Sequence, residues 1–112
     1  MLYGLKEKDI AAIHAVFAKQ EAVEKAILYG SRAKGNYRNS SDIDLTLKGE
    51  NLNLSLLFKI ETQLDDLLLP YRIDLSIFHK IENKDLIEHI ERVGIIFYEA
   101  IKMDEATEST AP

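Results

Sequence analysis

Apolar residues recur at helical spacing in the first segment, where Ile10, Ile13, Val16 and Phe17 line one face between Lys8 and Gln20. A short apolar run from Glu24 to Tyr29 follows and stops at Gly30, the pattern of a buried strand. Ser31 to Lys34 fits a single helical turn, and the polar stretch from Gly35 to Ser41 is a loop. Asp42 to Lys48 alternates apolar and polar residues through Ile43, Asp44, Leu45, Thr46 and Leu47, so it predicts a strand with one face of each kind. Leu57, Ile60, Leu64 and then Leu67 or Leu68 predict a second long helix over Leu54–Leu68, closed by Pro70. Tyr71 to Phe78 predicts a third strand. Asn83 is placed to cap a helix carrying Leu86, Ile87, Ile90 and Val93 and ending at Gly94. Ile95 to Tyr98 predicts a closing strand.

This order, helix, strand, turn, strand, helix, strand, helix and strand, predicts an α/β (α+β) fold. A small mixed sheet has helices packed on it. The first two strands are expected as antiparallel neighbours. The helix between the second and third strands permits a parallel crossover. The reading gives one domain over residues 1–103. Residues 104–112 form a polar tail with nothing to bury, expected to be disordered.

A chain of 112 residues can bury about two-thirds of its unfolded surface, enough for a core. With no cysteine there is neither a disulfide nor a thiolate metal site, which fits a reducing compartment. The N-terminal residues lack the long apolar centre of a signal peptide, and no apolar run reaches membrane-spanning length. A cytoplasmic location is expected. The net charge of −5 argues against general nucleic-acid binding. Locally, Arg32, Lys34 and Arg38 form a small basic patch, better suited to one polyphosphate than to a duplex.

The chemistry concentrates between residues 30 and 48. Gly30-Ser31 ends one apolar run, and ten residues later Asp42-Ile43-Asp44 opens the next. Residues two apart on a strand share a face about 6.5–7 Å apart, so Asp42 and Asp44 crowd their charges. A divalent cation with oxygen ligands relieves that repulsion. Gly30 allows close approach of the backbone, and Ser31 offers a hydroxyl and an N–H to a phosphate; Arg32 is a further candidate for phosphate contact. Asp74 interrupts the third strand between Ile73 and Leu75. A parallel crossover brings it beside Asp42 and Asp44. Three carboxylates on two strands can hold two divalent ions, and Asp74 is placed to accept a proton from an attacking hydroxyl.

Gly30-Ser31, the ten-residue interval, Asp42-Ile43-Asp44 and the later Asp74 resemble the minimal nucleotidyltransferases of the DNA polymerase beta-like superfamily. Within it, the chain is most similar to the small antitoxin nucleotidyltransferases paired with HEPN-domain proteins. The resemblance covers about residues 8–100. It implies the nucleotidyltransferase fold, with Gly30 and Ser31 holding nucleotide phosphates and Asp42, Asp44 and Asp74 as catalytic, magnesium-binding acids. It implies ATP as substrate, AMP as the group transferred, two Mg²⁺ ions, and a HEPN-type protein, modified at a hydroxyl, as partner. Two other readings stand beside it: an inactive nucleotide-binding partner module, or transfer to a small molecule such as an aminoglycoside. Larger relatives carry a second domain that binds the acceptor; none is expected here, so the acceptor is expected to dock from another protein or to sit in an open site.

The remaining candidates read as structural. His14, His79 and His89 show no metal-ligand spacing, and Tyr29 reads as core. Tyr37 leaves two readings open, stacking on a base or covering the sheet edge. The leucine surplus near residues 56–69 leaves room for homo- or hetero-oligomer contacts.

Overall fold

The computed structural model describes residues 1–101, so the expected tail lies outside the described residues. The elements are α1 (Glu7–Ala18), β1 (Lys25–Tyr29), α2 (Gly30–Lys34), β2 (Ile43–Lys48), α3 (Leu54–Asp65), β3 (Ile73–Ile77), a 3₁₀ turn at Phe78–Lys80, α4 (Lys84–Val93) and β4 (Ile95–Glu99). The four strands form one sheet in the order β3-β2-β1-β4. β1 pairs antiparallel with β2 and with β4, and β2 pairs parallel with β3 across the α3 connection. The fold is therefore α/β with a mixed sheet, as the element order predicts.

Alternation along the strands divides the residues between two faces. Ala26, Leu28, Ile43, Leu45, Leu47, Leu75 and Ile77 belong to the main core with Ile13, Val16 and Phe17 of α1 and Leu57, Ile60 and Leu64 of α3. On the other face Ile27 and Tyr29 pack with Ile90 of α4, bordered by Phe78, Ile81, Leu86 and Val93. Thr46 lies on this second face and is fully enclosed, accepting a 2.9 Å hydrogen bond from Ser76 on the adjacent strand.

α3 and α4 start where side chains satisfy their first amides. Asn53 accepts from Leu56 N–H at 2.8 Å, and Asn83 accepts from the N–H groups of Asp85 and Leu86 at 2.9 and 3.1 Å. α3 stops at Asp65, three residues before the end that leucine spacing predicts. Leu67 and Leu68 donate to the carbonyls of Leu64 and Asp65 in a tight turn. Leu68 takes a left-handed φ of 53° and is 88% exposed, while Leu67 and Leu69 return to the core. Three consecutive leucines thus serve a turn, because only alternate ones are needed to seal the end of the core. Gly94 follows α4 as expected, but with φ −62° rather than a left-handed cap. A β-carbon there would fall 2.7 Å from Ile27 Cγ2, so the glycine lets the helix end pack against β1.

Candidate active site

Strand β1 reaches its end at Tyr29, and Gly30 turns the chain directly into α2 with φ +75°. The space a β-carbon would fill at Gly30 is taken by Asp44 Oδ2. The Gly-Ser turn and the second acid of the Asp42/Asp44 pair are therefore in contact, although residues 32–41 separate the two motifs in the chain.

Strand register carries the rest. Tyr29 pairs with Asp44 across the antiparallel β1–β2 ladder, and Asp44 pairs with Asp74 across the parallel β2–β3 ladder. Asp42 lies one residue before β2, which is anchored at its start by Ile43 N–H donating to Arg72 O at 2.8 Å. Asp42 and Asp74 are exposed and Asp44 is half-buried. Burial, then the charges of Asp74 and Asp42, holds the Asp44 carboxyl above the usual carboxylate range. The crowding expected from the sequence thus extends to all three acids.

Tyr29 was legible as core, and it is buried in the cluster beneath α4. It is also part of the site. Burial pushes its phenol up, and Asp74 and Asp44 add to this, while a hydrogen bond with Ser76 opposes it. The side chain thus lies across the sheet from β1 to β3, behind the acids. Ser76 in turn donates to Thr46, giving a line of hydroxyls one pleat below the carboxylates. His89 of α4 meets the Tyr29 ring edge-on, with centroids 6.1 Å apart. Alternation alone puts Ser76 on the face of Asp74; the proximity of His89 depends on how α4 docks.

Arg32 requires a correction. Its guanidinium is turned into the fold, 2% exposed, and donates to the carbonyls of Tyr3, Asn39 and Ser41. It lies 5.2 Å from the ring centres of both Tyr37 and Tyr71. These contacts occupy the fork that phosphate recognition requires. Tyr37 packs its ring over Arg32, a contact that neither sequence reading of this residue anticipated. Lys34, at the end of α2, and Arg38, on the following loop, are exposed. His14 Nε2–H donates to Phe97 O at 2.7 Å, a structural contact. His79 lies at the opposite end of β3 from Asp74, in a recess shared with Glu24 and Lys48.

Among the described residues, no three histidine or acidic side chains form a ready-made cation cage. The donor set still fits Mg²⁺. This hard ion takes oxygen ligands and typically binds through one or two carboxylates, with substrate phosphates and water completing its shell. The half-buried carboxyl of Asp44, raised by two neighbouring acids, is a charge imbalance that such a cation relieves. A cleft of about 880 Å³ lies elsewhere, along β4 and the end of α1, lined by residues including His14, Glu21, Ile96 and Tyr98. The acids stand on an open edge instead.

Residues 11–102 match the family described as Polymerase beta, Nucleotidyltransferase. The chain belongs to this nucleotidyltransferase family. The match includes the Gly-Ser turn and all three acids, so the convergence described above falls inside the family domain. No curated protein matches the sequence. Among solved structures, a chain of a toxin–antitoxin crystal structure with AMP-PNP is similar with a TM-score of 0.64 at 18% identity, over 92% of this chain and 80% of that one. A chain in the structure of the tri-AMPylated Shewanella oneidensis HEPN toxin in complex with MNT antitoxin gives 0.63 at 14% identity, over 92% and 79%. A chain of the toxin–antitoxin MntA-HepT gives 0.61 at 14% identity, over 91% and 79%. At these identities the likeness establishes a shared nucleotidyltransferase fold. Among the described residues no helix is long and apolar enough to cross a membrane.

Proposed function

We propose that this nucleotidyltransferase moves AMP from ATP onto a hydroxyl of a HEPN-type partner protein, and so acts as the partner's antitoxin in the cytoplasm. The observation that carries this reading is the seating of Asp44 against Gly30, with Asp74 as its register partner. It supports a phosphate-binding role for the turn and a metal-binding role for the acids, because the two lie within one nucleotide's length of each other. The fold likeness to the tri-AMPylated HEPN toxin complex and to the AMP-PNP complex supports the choice of adenylyl group and acceptor.

In this reading Gly30 and Ser31 hold the nucleotide's phosphates through backbone N–H groups and the Ser31 hydroxyl. Asp42, Asp44 and Asp74 would hold Mg²⁺, which when bound offsets charge on the phosphates and the departing pyrophosphate. The carboxylate of Asp74 takes the proton from the acceptor hydroxyl as its oxygen bonds to the α-phosphorus. The bond from that phosphorus to the pyrophosphate oxygen breaks in the same step. Tyr29 is buried beside Asp44 and Asp74, in the cluster beneath α4. The open edge leaves room for the acceptor to arrive on another protein.

Mass spectrometry of the chain co-expressed with a HEPN partner tests this. The expected result is a partner heavier by one or more adenylyl groups, with the gain lost in Asp42→Asn, Asp44→Asn and when Mg²⁺ is withheld. An unmodified partner that still binds tightly would make the chain a non-catalytic module. AMP found on an aminoglycoside instead would make the acceptor a small molecule.

A further inference from the structure

The largest fully enclosed side chain among the described residues is a charged one, Arg32. Burying a guanidinium is unfavourable unless its donors are met, and an apolar residue of similar size commonly serves stability as well or better. Arg32 meets its needs with backbone carbonyls. Nε and Nη2 donate to Ser41 O at 3.1 and 2.9 Å, Nη2 also to Asn39 O at 3.2 Å, and Nη1 to Tyr3 O at 2.9 Å. The positions of two of these residues matter. Arg32 directly follows Ser31 of the phosphate turn, and Ser41 directly precedes Asp42. The pair of bonds to Ser41 O therefore closes the base of the loop that joins the two halves of the site. Arg38 N–H to Ser41 Oγ at 2.8 Å and Ser41 N–H to Arg38 O at 2.9 Å stiffen the same loop.

The third partner comes from the N-terminus. Leu5 N–H donates to Leu2 O at 2.8 Å, folding residues 2–5 into a hook whose Tyr3 and Gly4 take left-handed φ values of 58° and 73°. A β-carbon on Gly4 would strike Tyr37 and fall 2.9 Å from Arg32 Nη1. The hook lies ahead of residue 11, where the family match begins.

We infer that Arg32 is a positioning residue that fixes the spacing between the Gly30-Ser31 turn and the Asp42/Asp44 pair, and that the N-terminal hook holds Arg32 in place. The inference rests on the proposed nucleotidyl transfer for its kinetic consequence, but not for its structural one. Strand register brings Asp44 to the end of β1; the clamp ties together the two ends of the intervening loop, next to Ser31 and Asp42, and so sets how closely the two halves keep their spacing. Ground-state binding to the phosphate turn is thus spared while the transition state, which needs both halves, is not.

Two variants test it. Arg32→Lys keeps the charge and loses the fork, and Gly4→Ala displaces Arg32 from outside the site. With the HEPN partner as acceptor, Arg32→Lys is expected to lower kcat about 10²-fold and Gly4→Ala about tenfold, with KM for ATP changed by less than about threefold. Amide hydrogen exchange by NMR is expected to speed up together at residues 31–34 and 41–44 in both variants, with Ile27 and Leu45 unchanged. Exchange at wild-type rates in both segments overturns the inference whatever the activity. So does a loss of transfer that merely follows the folded fraction, for Arg32 would then be a packing residue only. A wild-type chain that transfers nothing removes the proposed function, while the exchange measurement still decides whether Arg32 sets the spacing.

Discussion

Asp44 and Asp74 are register partners on parallel strands, and the charge of Asp74 is one of those that hold the Asp44 carboxyl above its ordinary range. Such a pair is a local liability in the folded chain, and the liability has a sign. A folded-state value above the unfolded one means that the folded protein holds the Asp44 proton more tightly. The contribution is favourable at low pH and is lost as pH rises through the folded value.

Asp44→Asn removes that liability along with a proposed ligand. Without divalent ions, the variant is expected to melt higher than the wild type at neutral pH. The gain shrinks as pH falls toward the carboxylate range. Transfer is expected to drop by at least ~10²-fold. Thermal melts across pH, paired with the transfer assay, check both halves; a lower melting temperature at neutral pH would contradict the charge argument.

Gly30→Ala tests the seating of the acid on the turn. The new methyl group meets Asp44 Oδ2 and the backbone is at φ +75°, a conformation that alanine adopts at a cost. Stability is expected to fall by about 1–3 kcal/mol, with transfer abolished even in the folded fraction. Denaturant unfolding supplies the first number and activity per folded molecule the second. Full activity would mean that the turn and Asp44 need not touch.

Asp74→Asn separates binding from chemistry. Asp74 is exposed on β3, so the fold is expected to survive unchanged. Calorimetry should retain most of the Mg·ATP affinity while kcat falls about 10²–10⁴-fold, the range for loss of a proton acceptor. Transfer at the wild-type rate would remove Asp74 from the base role.

Tyr29→Phe deletes only the hydroxyl that reaches Ser76. Ser76 keeps its bond to Thr46, so the expected stability change is below about 1 kcal/mol. The variant is expected to lose transfer by about threefold to tenfold through looser placement of the acids. A larger loss would mean that the phenol touches the substrate.

Local chemistry made much of this protein legible. Asn83 before an amphipathic run marked the start of α4 because an N-cap acts within three residues. Alternation assigned Asp44 and Asp74 to strands, and a helix-length connection permitted the parallel β2–β3 pairing that the structure has. The Gly-Ser turn, the Asp pair and the later Asp74 were visible for the same reason: strand periodicity fixes which side chains share a face. Helical spacing overran at Leu67 and Leu68, where a turn uses leucines in a pattern that three residues of sequence do not distinguish from a helix.

Arg32 and Tyr29 mark the boundary of that reading. An arginine in a basic loop beside a Gly-Ser turn has the sequence signature of a phosphate ligand. Its actual partners are carbonyls of Tyr3, Asn39 and Ser41 and the rings of Tyr37 and Tyr71, drawn from three separated stretches of chain. Tyr29 likewise reads as core, and only the neighbouring strands reveal that its hydroxyl reaches Ser76 behind the acids. The sequence by itself determined the elements, their order and the candidate residues of the site, because backbone periodicity is a local property. Tertiary structure alone decided which charge is buried and which is free, because burial depends on segments that meet only after the chain has folded.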